Sequence, residues 1–185
     1  MLPIEIRAVT RFTWANAISA VRLILIVPCA YAIGNDDWSL AAALFVLAVI
    51  TDVFDGVIAR RRGEVSAFGG LLDHGSDALF VTVSLAMLAA KGIVPLPLPL
   101  LAISAFAQYV WDSDALAGAP LRASRVGRWN GIGYYVLVGC AVIDPGLGLN
   151  WLPVLLLRAA GWLLVATTLV SMADRAYGLW RLRRG

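Results

Sequence analysis

Six apolar runs separated by short polar breaks make up most of this chain. Their length and low charge predict helices over Trp14–Ile33, Ser39–Arg60, Phe68–Ala90, Leu98–Val110, Trp129–Ile143 and Trp151–Ala173. The breaks carry turn signals: Gly34-Asn35-Asp36-Asp37, then Arg61 through Ser66, then Gly92 with Pro95, Pro97 and Pro99, and Asp144-Pro145-Gly146. A longer polar break holding Asp112, Asp114, Arg122, Arg125 and Arg128 precedes the short, glycine-rich fifth run. Ahead of the first run, residues 2–13 alternate apolar side chains with Glu5, Arg7 and Arg11, the pattern of a short helix lying on a membrane surface. The expected fold class is therefore all-α integral membrane: six transmembrane helices, preceded by a short interfacial amphipathic helix, in one domain over 1–185.

Composition agrees. The chain is 61% hydrophobic and only 15% charged, where a soluble domain is nearer half apolar and a quarter charged. Six spans put both termini on one side. Arg7, Arg11, Arg60–Arg62, Arg122, Arg125, Arg128, Arg175, Arg181, Arg183 and Arg184 then share that side, and the opposite loops hold Lys91 and Arg158. The positive-inside rule makes the side with the termini cytoplasmic. Cys29 and Cys140 lie inside apolar runs and read as small core residues, not as a disulfide. The start of the chain shows no secretory signal. Most of the seven tryptophans fall near predicted helix ends, as in an aromatic belt. The arginines follow topology, so no nucleic-acid partner is expected.

Candidate chemistry concentrates in residues 52–77. Four aspartates, Asp52, Asp55, Asp73 and Asp77, stand at the facing ends of the second and third runs. An aspartate inside a membrane costs roughly 2.5–3.5 kcal/mol on insertion scales, so the cluster calls for a compensating partner. On a helix, Asp52, Asp55, Gly56, Ala59 and Arg60 share one face; on the next, Gly69, Asp73 and Asp77 do the same. If the two faces oppose, the carboxylates converge on a small volume. An all-oxygen site of this kind suits hard divalent cations. Four carboxylates suggest two ions, which in phosphoryl-transfer sites sit ~3.5–4 Å apart. Gly56 and Ala59 keep the face open to a ligand, and Arg60 suits a phosphate or a carboxylate neighbour. In the first run Asn16, Ser19 and Arg22 fall on roughly one face.

The spacing Asp52-x2-Asp55-Gly56-x2-Ala59-Arg60-x8-Gly69-x3-Asp73-x3-Asp77 resembles the signature of the CDP-alcohol phosphatidyltransferases, membrane enzymes of phospholipid synthesis. The Asn16-x-x-Ser19-x-x-Arg22 opening and the six-helix plan are similar as well. The resemblance implies two metal ions, Mg2+ or Mn2+, with Asp52, Asp55 and Asp73 on one and Asp77 contributing to the second. It implies that Asp77 is the general base for the acceptor alcohol, and that CMP is the leaving group. Asn16, Ser19, Arg22, Gly56, Ala59, Arg60, Ser66 and Gly69 would hold the CDP-linked donor. A homodimer in a bacterial inner membrane, with the site on the cytoplasmic side, completes that expectation.

Several points stay open in the sequence. The donor is expected to be CDP-diacylglycerol and the acceptor a polar alcohol such as glycerol 3-phosphate or inositol phosphate. Asp73-His74-Gly75-Ser76-Asp77 instead resembles the choline and ethanolamine phosphotransferases. A divalent-cation transporter is the rival from another class, since intramembrane carboxylates also mark ion pathways. His74, the one histidine, reads as a packing residue or a contact behind the site, with an acceptor role as the other option. Arg122, Arg125 and Arg128 read either as topology or as a pocket for a phosphorylated acceptor. Gly127-Arg128 departs from the Gly-Lys pair of many family members.

Overall fold

The computed structural model describes residues 14–62, 67–113 and 125–182. They form six helices and no strand: α1 (Trp14–Gly34), α2 (Trp38–Arg62), α3 (Ala67–Ala90), α4 (Pro97–Asp112), α5 (Arg125–Gly146) and α6 (Val154–Leu182). Their number and order match the apolar runs. The amphipathic helix expected over 2–13, and with it Ser66, Asp114 and Arg122, lies outside the described residues.

Three boundaries differ from expectation, each for a local reason. Asp144-Pro145-Gly146 is not a turn but the last turn of α5. The chain reverses after it, through Gly148 (φ 68°) and Asn150 (φ 52°), residue types that tolerate the left-handed region. Asp144 organises that reversal, its carboxylate accepting hydrogen bonds from the backbone N–H groups of Trp151 (3.0 Å) and Leu152 (3.2 Å). Helix α5 begins at Arg125, so Arg125 and Arg128 stand on the helix and not ahead of it. Helix α6 starts after Pro153 and continues past Ala173 to Leu182, because a helix does not stop where its hydrophobicity does. Pro97 and Pro99 are absorbed at the start of α4, where a missing N–H goes unnoticed.

Helix α1 packs on α2 and α3, α2 on α5, α3 on α4 and α5, and both α4 and α5 on α6. The core is drawn from the middles of these helices, with Cys29, Ile33, Phe45, Phe80, Leu85 and Val138 all buried. Both cysteines are free thiols, as expected. Glycine lets α5 lie close against α2. A Cβ at Gly146 would stand 2.6 Å from the Trp38 carbonyl oxygen, and one at Gly139 would stand 2.9 Å from the Phe45 ring.

The outer surface is apolar. Ile24, Val27 and Tyr31 of α1 and Leu155, Leu163 and Val170 of α6 are all more than 60% exposed, a pattern that a water-facing surface rarely carries over contiguous area. Among the described residues, Gly69–Ala90 and Val154–Gly178 are long and apolar enough to cross a membrane unaided. Ala20–Gly34 and Trp38–Phe54 are shorter apolar stretches.

Candidate active site

Arg22 is the hub of the site. Its guanidinium is fully buried, and it pairs with Asp52 of α2 (2.9 Å), with Asp73 of α3 (3.2 Å) and with Asp77 of α3. It also donates to Ser76 Oγ (2.9 Å) and to the Asp73 carbonyl (3.3 Å), while Ser76 donates to that same carbonyl (2.8 Å). One side chain from α1 thus ties α2 to α3. Burying a guanidinium is tolerated because its fork of donors meets several acceptors at once.

The helical register explains the convergence. Asp73 and Asp77 are one turn apart on α3, and Asp52 faces them from α2. Carboxylate oxygens of Asp52, Asp73 and Asp77 lie within 4.8 Å of one another. Arg22 contacts Oδ1 of each of the three carboxylates. Three hard oxygen donors at this spacing fit a divalent ion. From α5, the Tyr135 hydroxyl donates to Asp77 Oδ1 at 2.8 Å.

Asp52 and Asp77 stand on the wall of a cavity of about 1020 Å³ framed by α2 to α6, and Asp73 adjoins them. One part of its wall is ionic and polar, with Asp52, Asp77, Arg128 and Arg175; another is apolar, with Phe45, Val49, Val81 and Ile143. Arg175 is held by Asp112 (3.0 Å) and lies 5.2 Å from the centre of the Tyr109 ring. Tyr109 in turn stacks beside His74, ring centres 6.4 Å apart. His74 reaches Asp73 Oδ2 at 3.5 Å and is half exposed to the cavity. A buried polar group completes the wall: Asn130 donates to Thr168 Oγ1 (3.4 Å), and the Tyr134 hydroxyl bonds the same oxygen.

Of the residues expected from sequence, Arg22, Asp52, Asp73 and Asp77 meet in one place, and Gly69 stands on α3 one turn before Asp73. Asn16 and Ser19 lie on α1, and Asp55, Gly56, Ala59 and Arg60 on α2; their side chains lie outside the described ones, as does that of Arg125. Tyr109, Gln108 and Tyr135 were not singled out by the sequence, and Arg175 was read only as a topology arginine. Their only signal is polarity near the end of an apolar run, or just past it, which many membrane helices share.

Comparison with known proteins now gives the family. Its sequence profile, described as CDP-alcohol phosphatidyltransferase, matches residues 12–173, and the chain belongs to that family. Human cardiolipin synthase (CMP-forming) is 33% identical over 94 residues, covering 50% of this chain and 31% of the relative. The CDP-diacylglycerol–glycerol-3-phosphate 3-phosphatidyltransferase of Cereibacter sphaeroides is 31% identical over 116 residues, 60% of this chain and 52% of the relative. The enzyme of the same name from Rickettsia bellii reaches 51% identity over 55 residues, 30% of each chain. The matched segments therefore cover between about a third and a half of these relatives.

Proposed function

We propose that the protein is a six-span membrane enzyme that transfers the phosphatidyl group of CDP-diacylglycerol to glycerol 3-phosphate and releases CMP. The observation that carries this reading is the convergence of Asp52, Asp73 and Asp77, two of which, Asp52 and Asp77, line a cavity whose wall is part ionic and part apolar. A charged headgroup and an apolar lipid both find matching walls there. Glycerol 3-phosphate is favoured over inositol phosphate by the names of the bacterial relatives. Arg128 and Arg175 on the same cavity wall supply positive charge for an acceptor phosphate.

Asp52, Asp55, Asp73 and Asp77 would hold two Mg2+ or Mn2+ ions. A bound divalent ion would neutralise charge on the donor pyrophosphate and acidify the acceptor hydroxyl. Asp77 takes the proton from that hydroxyl. The acceptor oxygen bonds to the phosphorus carrying the lipid, the bond from that phosphorus to the bridging oxygen breaks, and CMP leaves. Asn16, Ser19, Gly56, Ala59, Arg60, Ser66 and Gly69 hold the donor nucleotide, and Arg22 fixes the carboxylates that face it. The site lies on the cytoplasmic side of a bacterial inner membrane, in a homodimer.

The test is CMP release by purified protein in detergent with CDP-diacylglycerol, Mg2+ or Mn2+, and glycerol 3-phosphate, inositol phosphate, inositol, serine or no acceptor. Release that depends on glycerol 3-phosphate and stops with a chelator is expected. Activity only with CDP-choline or CDP-ethanolamine and diacylglycerol would move the reading to an aminoalcohol phosphotransferase. Silence with every donor, together with metal binding, would favour a cation transporter.

A further inference from the structure

Asp112 is the last residue of α4, an acid at the end of a helix where the backbone dipole disfavours negative charge. Its compensation comes from another helix. Arg175 of α6 donates from Nε to Asp112 Oδ2 at 3.0 Å, and the two side chains are largely withdrawn from solvent, 14% and 8% exposed. They differ in what they face: Arg175 lines the cavity, whereas Asp112 is not part of that wall. Tyr109 also lines the cavity, and its ring centre lies 5.2 Å from the same guanidinium. One turn of α4 thus holds Arg175 twice. The seam between α4 and α6 has a separate fastening one turn earlier, where Gln108 Nε2 donates to the Met172 carbonyl at 3.1 Å.

We propose that Asp112 is a positioning residue that holds the Arg175 guanidinium in place for the phosphate of the acceptor alcohol. This rests on the transferase reading above and deepens it. Asp52 and Asp77 line the same cavity and repel an anion, so a phosphate must be held away from them. Arg175 meets that need: Tyr109 and His74 stand in line between it and Asp73, the two ring centres 6.4 Å apart and His74 3.5 Å from the carboxylate. An arginine side chain is long and flexible, and a ligand that must order it loses about twofold to tenfold in affinity. A bond made beforehand at Nε removes that cost and sets the direction of the terminal nitrogens, which suit the paired oxygens of a phosphate. The charge of Asp112 acts in the opposite sense, weakening the pull of Arg175 on an anion. Position and charge therefore predict opposite effects of substitution.

The test measures KM and calorimetric Kd for glycerol 3-phosphate in wild type, Asp112→Asn and Asp112→Glu. Asparagine keeps an oxygen for Nε and drops the charge; glutamate keeps the charge and moves the oxygen by one methylene. Both constants should hold within about twofold in Asp112→Asn and rise about threefold to tenfold in Asp112→Glu. In both variants kcat and KM for CDP-diacylglycerol should stay at wild-type values, which also shows that they fold. In an Arg175→Gln background, Asp112→Glu should cause no further loss, because its effect runs through the arginine. Tighter binding in Asp112→Asn with wild-type values in Asp112→Glu would mean that Asp112 acts by charge, and overturns the inference. Equal values in all three proteins overturn it as well. So does a loss shared by both substrates, or one that persists without Arg175, either of which would make Asp112 a structural fastening. The binding measurement needs no turnover. The expected Kd pattern with no CMP release from any acceptor would leave the phosphate grip standing and sink the transferase reading instead, whereas CMP release without that pattern sinks the inference alone.

Discussion

Tyr135 of α5 donates a hydrogen bond from its hydroxyl to Asp77 Oδ1 of α3, at 2.8 Å. Its neighbour Tyr134, turned about 100° around the same helix, bonds Thr168 of α6. Two successive tyrosines thus hold α5 between the carboxylate cluster and α6. The Tyr135 bond fixes the rotamer of the carboxylate that the proposal uses as base. Tyr135→Phe should lower kcat for CMP release about tenfold, the worth of one hydrogen bond to a charged group, with KM for the donor little changed. Wild-type kcat in that variant would remove Tyr135 from any positioning role.

Asp77→Asn keeps an oxygen that can accept from Tyr135 but cannot take a proton at neutral pH. Turnover should fall by at least about a hundredfold, while the purified protein stays folded and still binds cytidine nucleotide. Paired measurements of CMP release and nucleotide binding read this directly. Near wild-type turnover would sink the assignment of the base.

Arg22→Leu should be the most damaging single change to stability. It strips a buried cation from three carboxylates and leaves them repelling one another. A loss of about 3 kcal/mol is expected, visible as a lower thermal midpoint in detergent. Arg22→Lys should recover only part of it, because one ammonium cannot reproduce the fork that reaches Asp52, Asp73 and Ser76 together. Full recovery by lysine would show that charge alone matters there.

Gly146→Ala should destabilise the protein by about 1–3 kcal/mol, since overpacking here meets backbone that has little room to shift. The new Cβ would stand 2.6 Å from the Trp38 carbonyl oxygen and 2.7 Å from the Ala42 Cβ. Gly178→Ala on α6, where a Cβ meets nothing within 4 Å, is the control. It should be neutral or stabilising by up to about 1 kcal/mol, as for any open helical glycine. Equal thermal midpoints for the two variants would contradict the close α2–α5 packing.

The sequence by itself determined the helices and the stretch in which the carboxylates cluster. Apolar runs long enough for helices leave the backbone no cheaper way to satisfy its hydrogen bonds out of water, so six runs became six helices in order. The spacing of Asp73 and Asp77, one turn apart, put both on one face of α3, because that periodicity is local. Boundaries were less legible: Arg128 and Arg175 proved helical because α5 and α6 extend into polar sequence, where hydropathy gives no signal.

What only the tertiary structure decided is which side chains meet across helices. Arg22 is 30 residues from Asp52 and 51 from Asp73 in the chain, and no periodicity within one helix relates them. The sequence placed Arg22 among donor-binding residues; folding puts its guanidinium against the carboxylates. Tyr135 and Gln108 were illegible for the same reason. A tyrosine or a glutamine in an apolar run has no evident task until its partner, Asp77 or the Met172 carbonyl, arrives from another helix. Local pattern is set by backbone geometry, which every residue shares; a site is set by packing between helices, which only the folded chain defines.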